Sequence, residues 1–277
     1  MNVAIFTVIR NEQDYLNDFL KYHTEMGLHI FVFEDLFSNS HSNICCKYDN
    51  VELHSIKELY DPEEYDSLEY RRKRQVAMQT ELITRGLRYI HSLNIYDWCW
   101  VIDIDEYITS SEPFPDILNR YTDYDAVRVY WMNYGCSGHI YKPIYDKPIY
   151  DIYTERCGYE NQDFWLHNIT KLCVNMHKWN PNITYRVHFT DINWIKVDFT
   201  TDAANIVFDP LYLRHYITKS FEEYCHKIFV RGMMHNGHRK ISSFFEMQPQ
   251  YKKRISEYKL LHEHLKKTIG VDLNDYI

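Results

Sequence analysis

Apolar positions fall into two kinds of pattern along the chain. Val3-Ala-Ile-Phe-Thr-Val-Ile9 is an unbroken apolar, largely β-branched run, which predicts a strand buried on both faces. The polar stop Arg10-Asn11-Glu12 follows, with Asn11 placed to cap a helix. Tyr15, Leu16, Phe19, Leu20, His23 and Met26 then recur at helical spacing, and Gly27 is placed to terminate the helix. Leu28-His-Ile-Phe-Val-Phe33 predicts a second strand that ends in Glu34-Asp35. Strand, helix and strand in this order predict a βαβ unit, so the sheet begins parallel.

Further on, Val51–Ile56 predicts a third strand and about Glu64 to Leu93 one long helical segment carrying Arg71-Arg72-Lys73-Arg74. Trp98-Cys-Trp-Val-Ile102 is again continuously apolar and runs into Asp103-Ile104-Asp105-Glu106 before Ile108. Taken as one strand, alternation points Asp103 and Asp105 to the same face and Glu106 to the other. Two hard oxygen ligands at the carboxyl end of a buried strand suit Mg²⁺ or Mn²⁺. That edge is also where open α/β sheets bind ligands. Ser111-Glu112-Pro113 opens a short helix, and Ala126–Met132 is another strand, followed by the glycine loop Asn133–His139, where close approach to a ligand is expected at Gly135. Periodicity weakens between 140 and 210, with short strands expected at 184–189 and 194–199. A strand at 211–217 precedes a helix at 221–231, opened by a Ser220–Glu223 capping box and closed by Gly232. The last stretch predicts a helix at 252–267 with one apolar stripe of Tyr251, Ile255, Tyr258, Leu261 and Leu265, and with Leu260 off the stripe.

Composition narrows the picture. The chain has 277 residues, 45% of them hydrophobic, and a formal net charge of −8, which argues against a general nucleic-acid binder. No run approaches a membrane span, and the N-terminus reads as a first strand and not a signal peptide, so a cytoplasmic protein is expected. Seven cysteines without metal-type spacing fit reduced, mostly buried thiols. No Gly-x-Gly-x-x-Gly follows the first strand and no P-loop motif occurs, which argues against a nicotinamide or flavin Rossmann domain and excludes a P-loop enzyme.

Taken together, Arg10-Asn11-Glu12, Arg74-Gln75, Asp103-Ile-Asp105-Glu106, Trp131 with Gly135-Cys-Ser-Gly-His139, Thr154-Glu155-Arg156, Lys171 and His215-Tyr-Ile-Thr-Lys219-Ser220 with Glu223, Lys227 and Arg231-Gly232 resemble the GT-A glycosyltransferases. The resemblance is to the family-2-like and family-92-like members and covers about residues 1–232. Cys136, where many relatives have Ser, Cys157, where Phe is usual, and Glu34-Asp35-Leu36, in place of Asp-Asn-Asp, depart from the pattern and bear on sugar choice.

The resemblance implies an α/β fold of GT-A (Rossmann-like) type, with a mostly parallel central sheet flanked by helices. With no internal repeat, low-complexity tract or clear linker in the chain, one catalytic domain over 1–241 with a helical C-terminal extension over 242–277 is expected. The resemblance also implies a nucleotide-sugar donor site in which Arg10, Glu12 and Asp35 surround base and ribose, Gly135 lies against the donor, and Arg74 and Lys219 add charge. Asp103 and Asp105 would hold ribose and metal, with His215 the late metal ligand and Mn²⁺ or Mg²⁺ the cofactor. Glu155 is the candidate general base, with Asp163 in reserve. The implied reaction moves a hexose from a UDP-sugar, first of all UDP-galactose, to a glycan or lipid-linked glycan acceptor with inversion. A metal-dependent nucleotide-sugar hydrolase and an inactive glycan-binding protein are the rivals. Basic residues of the C-terminal helix are candidates for peripheral contact with a membrane.

Overall fold

The structure is a computed structural model that describes residues 1–73, 78–157, 169–185, 209–231 and 240–275. Its described strands are β1 (Val3–Ile9), β2 (His29–Glu34), β3 (Val51–Ser55), β4 (Trp98–Val101), β5 (Glu106–Ser110), β6 (Ala126–Asn133), β7 (Thr170–Asn175) and β8 (Leu211–His215). They form one mixed sheet in the order β3-β2-β1-β4-β7-β6-β8-β5. The first four are mutually parallel, whereas β7 runs antiparallel to both β4 and β6, and β5 antiparallel to β8. The helices are α1 (Gln13–Glu25), α2 (Ser42–Cys45), α3 (Tyr65–Lys73), α4 (Gln79–Leu93), α5 (Phe114–Asn119), α6 (Ile149–Ile152), α7 (Phe221–His226), α8 (Ile241–Met247), α9 (Lys252–Ser256) and α10 (Lys259–Ile269). The fold is α/β, as the sequence predicts.

Alternation along the central strands builds two cores. Ile5, Ile30, Val32, Trp98 and Trp100 join one apolar cluster, with Leu16, Phe19 and Leu20 of α1 packed into it. Their sequence neighbours Phe6, Phe31, Phe33, Cys99 and Val101 face the other, covered by Leu82, Leu87 and Ile90 of α4. Helices therefore cover both faces of the parallel half, and full burial of each such side chain contributes roughly 1.5–3 kcal/mol. Gly27 ends α1 at φ 79°, donating to Thr24 O at 2.9 Å, while Leu28 N reaches His23 O at 3.2 Å.

Several expectations are corrected. Asn11 is not a helix cap; it sits at φ 54°, and its Oδ1 accepts from Asn39 N at 2.9 Å. Two helices, α3 and α4, are described where one long helix was expected, with residues 74–77 outside the described set. The 98–108 stretch is two strands joined by a turn. Glu106 folds back so that Asp103 N donates to its Oε2 at 3.0 Å, and Glu106 N donates to Asp103 O at 3.0 Å. Strand alternation therefore does not govern Asp103 and Asp105. Strand β7 was not anticipated, and the strands expected at 184–189 and 194–199 lie almost wholly outside the described residues.

Near the C-terminus the predicted helix is two, broken at Tyr258; Ile255, Leu261 and Leu265 are buried and Leu260 is exposed, as the stripe predicts, whereas Tyr258, at the break, is exposed against expectation. Phe244 of α8 packs against Phe221 and Tyr224 of α7, with ring centroids 4.9 and 5.3 Å apart. Six of the seven cysteines are buried and only Cys46 is exposed. Among the described residues no helix is long and apolar enough to cross a membrane.

Candidate active site

Parallel pairing aligns the carboxyl ends of β1, β2 and β4. Ile9 stands opposite Glu34 and Phe6 opposite Val101, so Arg10-Asn11-Glu12, Asp35 and the Asp103–Asp105 turn leave one edge of the sheet together. Across that edge, β8 pairs His215 with Glu106 and with Asn133 of β6. Tyr216 N donates to Asp105 O at 2.9 Å, which fixes the turn against the end of β8.

Lysines hold the acids of the turn. Lys171 of β7, nearly fully buried, donates to Asp103 Oδ2 at 2.9 Å and lies 3.4 Å from Glu106 Oε1. Asp105 Oδ2 accepts from Lys219 at 3.2 Å and from Lys227 at 3.0 Å, and Asp105 Oδ1 stands 3.9 Å from His215 Nε2. The ammonium group of Lys219 also sits 4.2 Å from the centre of the Tyr15 ring, a cation–π contact. Burial pushes the Asp105 carboxyl up, but Lys227, Lys219 and His215 outweigh it and hold the group well below the usual carboxylate range. Burial pushes the enclosed Glu106 carboxyl well above its ordinary value, with the charge of Lys171 opposing.

Local backbone supports these positions. Lys219 has φ 53°, a left-handed conformation that costs a non-glycine residue on the order of 1–3 kcal/mol and persists only where surrounding structure enforces it. The Ser220 capping box then starts α7, as the sequence predicts, and α7 continues as a π-helical turn, Lys227–Arg231, which Lys227 opens. Asn11, Glu12, Tyr15, Lys219, His226 and Lys227 are among the residues around a cavity of about 150 Å³.

The expected residues separate into groups. Asp105, Lys219 and His215 come together, and Glu12 shares the cavity with Lys219. Glu12, almost buried, accepts from the Tyr15 hydroxyl, and its N–H donates to His41 Nε2 at 3.1 Å. Arg10 and the buried Asp35 follow β1 and β2, and Arg10 Nε is enclosed without a hydrogen-bond partner among the described residues. Gly135 is not open to a ligand: a Cβ there would stand 2.3 Å from Gln248 Oε1, so the space it leaves is filled by the C-terminal segment. Glu155 does not line the cavity; its carboxylate accepts from Tyr251 Oη at 2.5 Å and Gln250 Nε2 at 3.2 Å. Arg74 and Asp163 lie outside the described residues. Lys171 and Lys227 appear in the sequence only as members of a motif. The signal for Lys227 was its place two helical turns beyond Lys219, on the helix opened by the capping box.

The donor set does not fit a resident divalent cation. Among the described residues, no group of three His, Cys, Asp or Glu side chains is arranged to hold a metal ion, Asp103, Asp105 and His215 included. The reason is electrostatic. Two ammonium groups already share Asp105 Oδ2, and at about 4 Å each would oppose an added cation by roughly 4 kcal/mol per unit charge at an effective dielectric of 20.

Comparison with known proteins finds no matching family model and no match among curated proteins. Solved structures do align in part. A197 from STIV aligns at 13% identity and TM-score 0.27, over 48% of this chain and 47% of that one. HddC from Yersinia pseudotuberculosis aligns at 10% identity and TM-score 0.31, over 50% and 62%. The bifunctional IspDF from Campylobacter jejuni aligns at 11% identity and TM-score 0.31, over 69% and 45%. The chain thus matches less than two thirds of each of these chains, and the functional reading rests on the geometry of the site itself.

Proposed function

We propose that the chain is a GT-A-type glycosyltransferase that moves a hexose from a UDP-sugar to a hydroxyl of a glycan or lipid-linked glycan. The observation that carries the reading is the junction of Asp105 with Lys219 and Lys227, beside a cavity at the carboxyl edge of parallel strands. Acids there suit the hydroxyls of ribose and sugar, and lysines suit phosphate oxygens. Arg10, Glu12 and Asp35 would border the nucleoside.

In the reaction, the acceptor oxygen bonds to the anomeric carbon while the bond from that carbon to the diphosphate oxygen breaks, and UDP leaves with the electron pair. The acceptor proton passes to a carboxylate, for which Glu155 is the candidate; because Glu155 lies outside the lining of the lysine cavity, the acceptor would have to approach from the side of Tyr251 and Gln250, which hold that carboxylate. Inversion follows if the two oxygens stand on opposite sides of that carbon. Asp103 and Asp105, the carboxylates expected to hold a metal, are already paired with lysine, so the charge of the leaving diphosphate falls to the protein's own cations.

The exposed Lys252, Lys253, Lys259 and Lys267 support peripheral contact with an anionic membrane that carries the acceptor. Calorimetric titration with UDP, GDP and TDP tests the donor site. Saturable binding that favours UDP is expected, and failure of all three to bind would overturn the reading.

A further inference from the structure

Lys219 and Lys227 converge on one oxygen of Asp105 from the two ends of α7, at 3.2 and 3.0 Å. Lys219 is almost fully buried and Lys227 is 17% exposed, and both line the same small cavity. The cavity also carries acids, but these are engaged within the protein. Glu12 accepts from Tyr15, and Glu223 from Tyr145, Tyr153 and Ser220. Glu222 accepts from Lys142 N and contacts His264, and Asp14 pairs with Lys142. Hydroxyl donors leave Glu12 and Glu223 charged, so the lining is of mixed sign, and within it Lys219 and Lys227 place two ammonium groups side by side on Asp105.

A divalent cation assists loss of a diphosphate by neutralising its developing charge. Two ammonium groups about 3 Å from a common carboxylate oxygen keep a net positive charge and can donate charge-assisted hydrogen bonds to phosphate oxygens without coordination geometry. The left-handed backbone at Lys219 and the π-helical turn opened by Lys227 are distortions of the kind found where a side chain is positioned for a ligand. The poor fit of the acids to a metal has the same physical origin.

We propose that Lys219 and Lys227 form a metal-independent diphosphate-binding site, with Asp105 as the tether that holds both ammonium groups in place before the ligand arrives. The role as donor site rests on the glycosyltransferase reading, whereas diphosphate binding itself does not. On this account the leaving diphosphate is neutralised by lysine in place of Mn²⁺ or Mg²⁺.

The test is calorimetry of inorganic pyrophosphate and of UDP with the full chain, in EDTA and in Mn²⁺. Equal affinity within about 3-fold in the two conditions is expected. Lys227→Met should weaken pyrophosphate about 10-fold or more, the loss of one charge-assisted hydrogen bond, and Lys227→Arg should restore most of it. Binding that appears only with Mn²⁺, or a folded Lys227→Met that binds like wild type, overturns the proposal. Should Lys227→Met fail to fold, the EDTA and Mn²⁺ arms on the wild-type chain decide alone. Pyrophosphate binding in EDTA without any nucleotide binding would sink the glycosyltransferase reading and leave the lysine site standing. UDP binding that requires Mn²⁺ would do the reverse.

Discussion

Gly135→Ala probes how the glycine loop is bound to the C-terminal segment. A Cβ at position 135 would stand 2.3 Å from Gln248 Oε1, 2.8 Å from its Cδ and 3.2 Å from Cys157 Cβ. Gln248 is fully buried, and its amide accepts from Cys136 N at 2.6 Å while donating to Thr218 Oγ1 at 3.1 Å. The side chain cannot retreat and keep both bonds. Displacing it orphans the buried Cys136 N–H, at ~1–3 kcal/mol, and loses the second bond, at ~1 kcal/mol. The variant should therefore be ~2–4 kcal/mol less stable, a large share of the ~5–15 kcal/mol that holds a typical domain. Urea unfolding measures it, and a double-mutant cycle isolates the cause. In a Gln248→Ala background the two shortest contacts are gone and only Cys157 Cβ at 3.2 Å remains, so Gly135→Ala should cost at least ~1 kcal/mol less than in the wild-type background. An unchanged single variant, or equal losses in both backgrounds, would refute the reasoning.

Further predictions concern charge. Asp105→Asn takes the shared carboxylate from Lys219 and Lys227, and urea unfolding should register a loss of ~3–5 kcal/mol, as for other broken buried ion pairs. Glu155→Gln keeps shape but cannot accept a proton, so UDP affinity should hold within a few-fold while transfer falls ~10²–10⁴-fold; near wild-type transfer would move the base elsewhere. His23 is buried with Nδ1 on Phe19 O at 2.9 Å and Nε2 accepting from Ile108 N at 3.2 Å, so only the neutral ring fits, and burial lowers its pKa from 6.5 to about 3. The unfolded chain then binds more protons between those values, and stability should fall by ~1.4 kcal/mol per unit as pH drops through that window. His23→Gln, weaker at neutral pH, should lack that share of the slope in urea titrations at stepped pH. Charge reversal at Lys252 and Lys253 should reduce sedimentation with anionic liposomes at low salt, and equal sedimentation would leave that face as solvated surface.

The parallel half of the fold was legible because its strands are buried on both faces. Continuous apolar runs such as Val3–Ile9 and His29–Phe33 have few alternatives, and the stripe of α1 ends at a glycine with φ 79°. The acidic turn was not, because alternation assumes an unbroken strand and Glu106 breaks it by bonding back to Asp103 N. Strand β7 was hidden by Lys171, a residue seldom buried, which is buried here only because Asp103 and Glu106 receive it from a turn about seventy positions earlier. The same long-range pairing concealed the bonds of Lys219 and Lys227 to Asp105, although motif position had placed Lys219 at the donor site. Their carboxylate partner lies 114 and 122 positions away, and local spacing carries no trace of it. Gly135 was misread for a related reason, since what fills its space comes from Gln248, 113 positions on.

The central claim is transfer of a hexose, and the fate of the sugar label tests it most directly. UDP-hexose labelled in the sugar is incubated with the full chain, with and without glycan and lipid-linked acceptors, and all products are separated. The account predicts label moving to an acceptor hydroxyl with stoichiometric release of UDP, and little free hexose. Label released to water at the same rate with or without acceptor, or left on the donor under every condition, would contradict it.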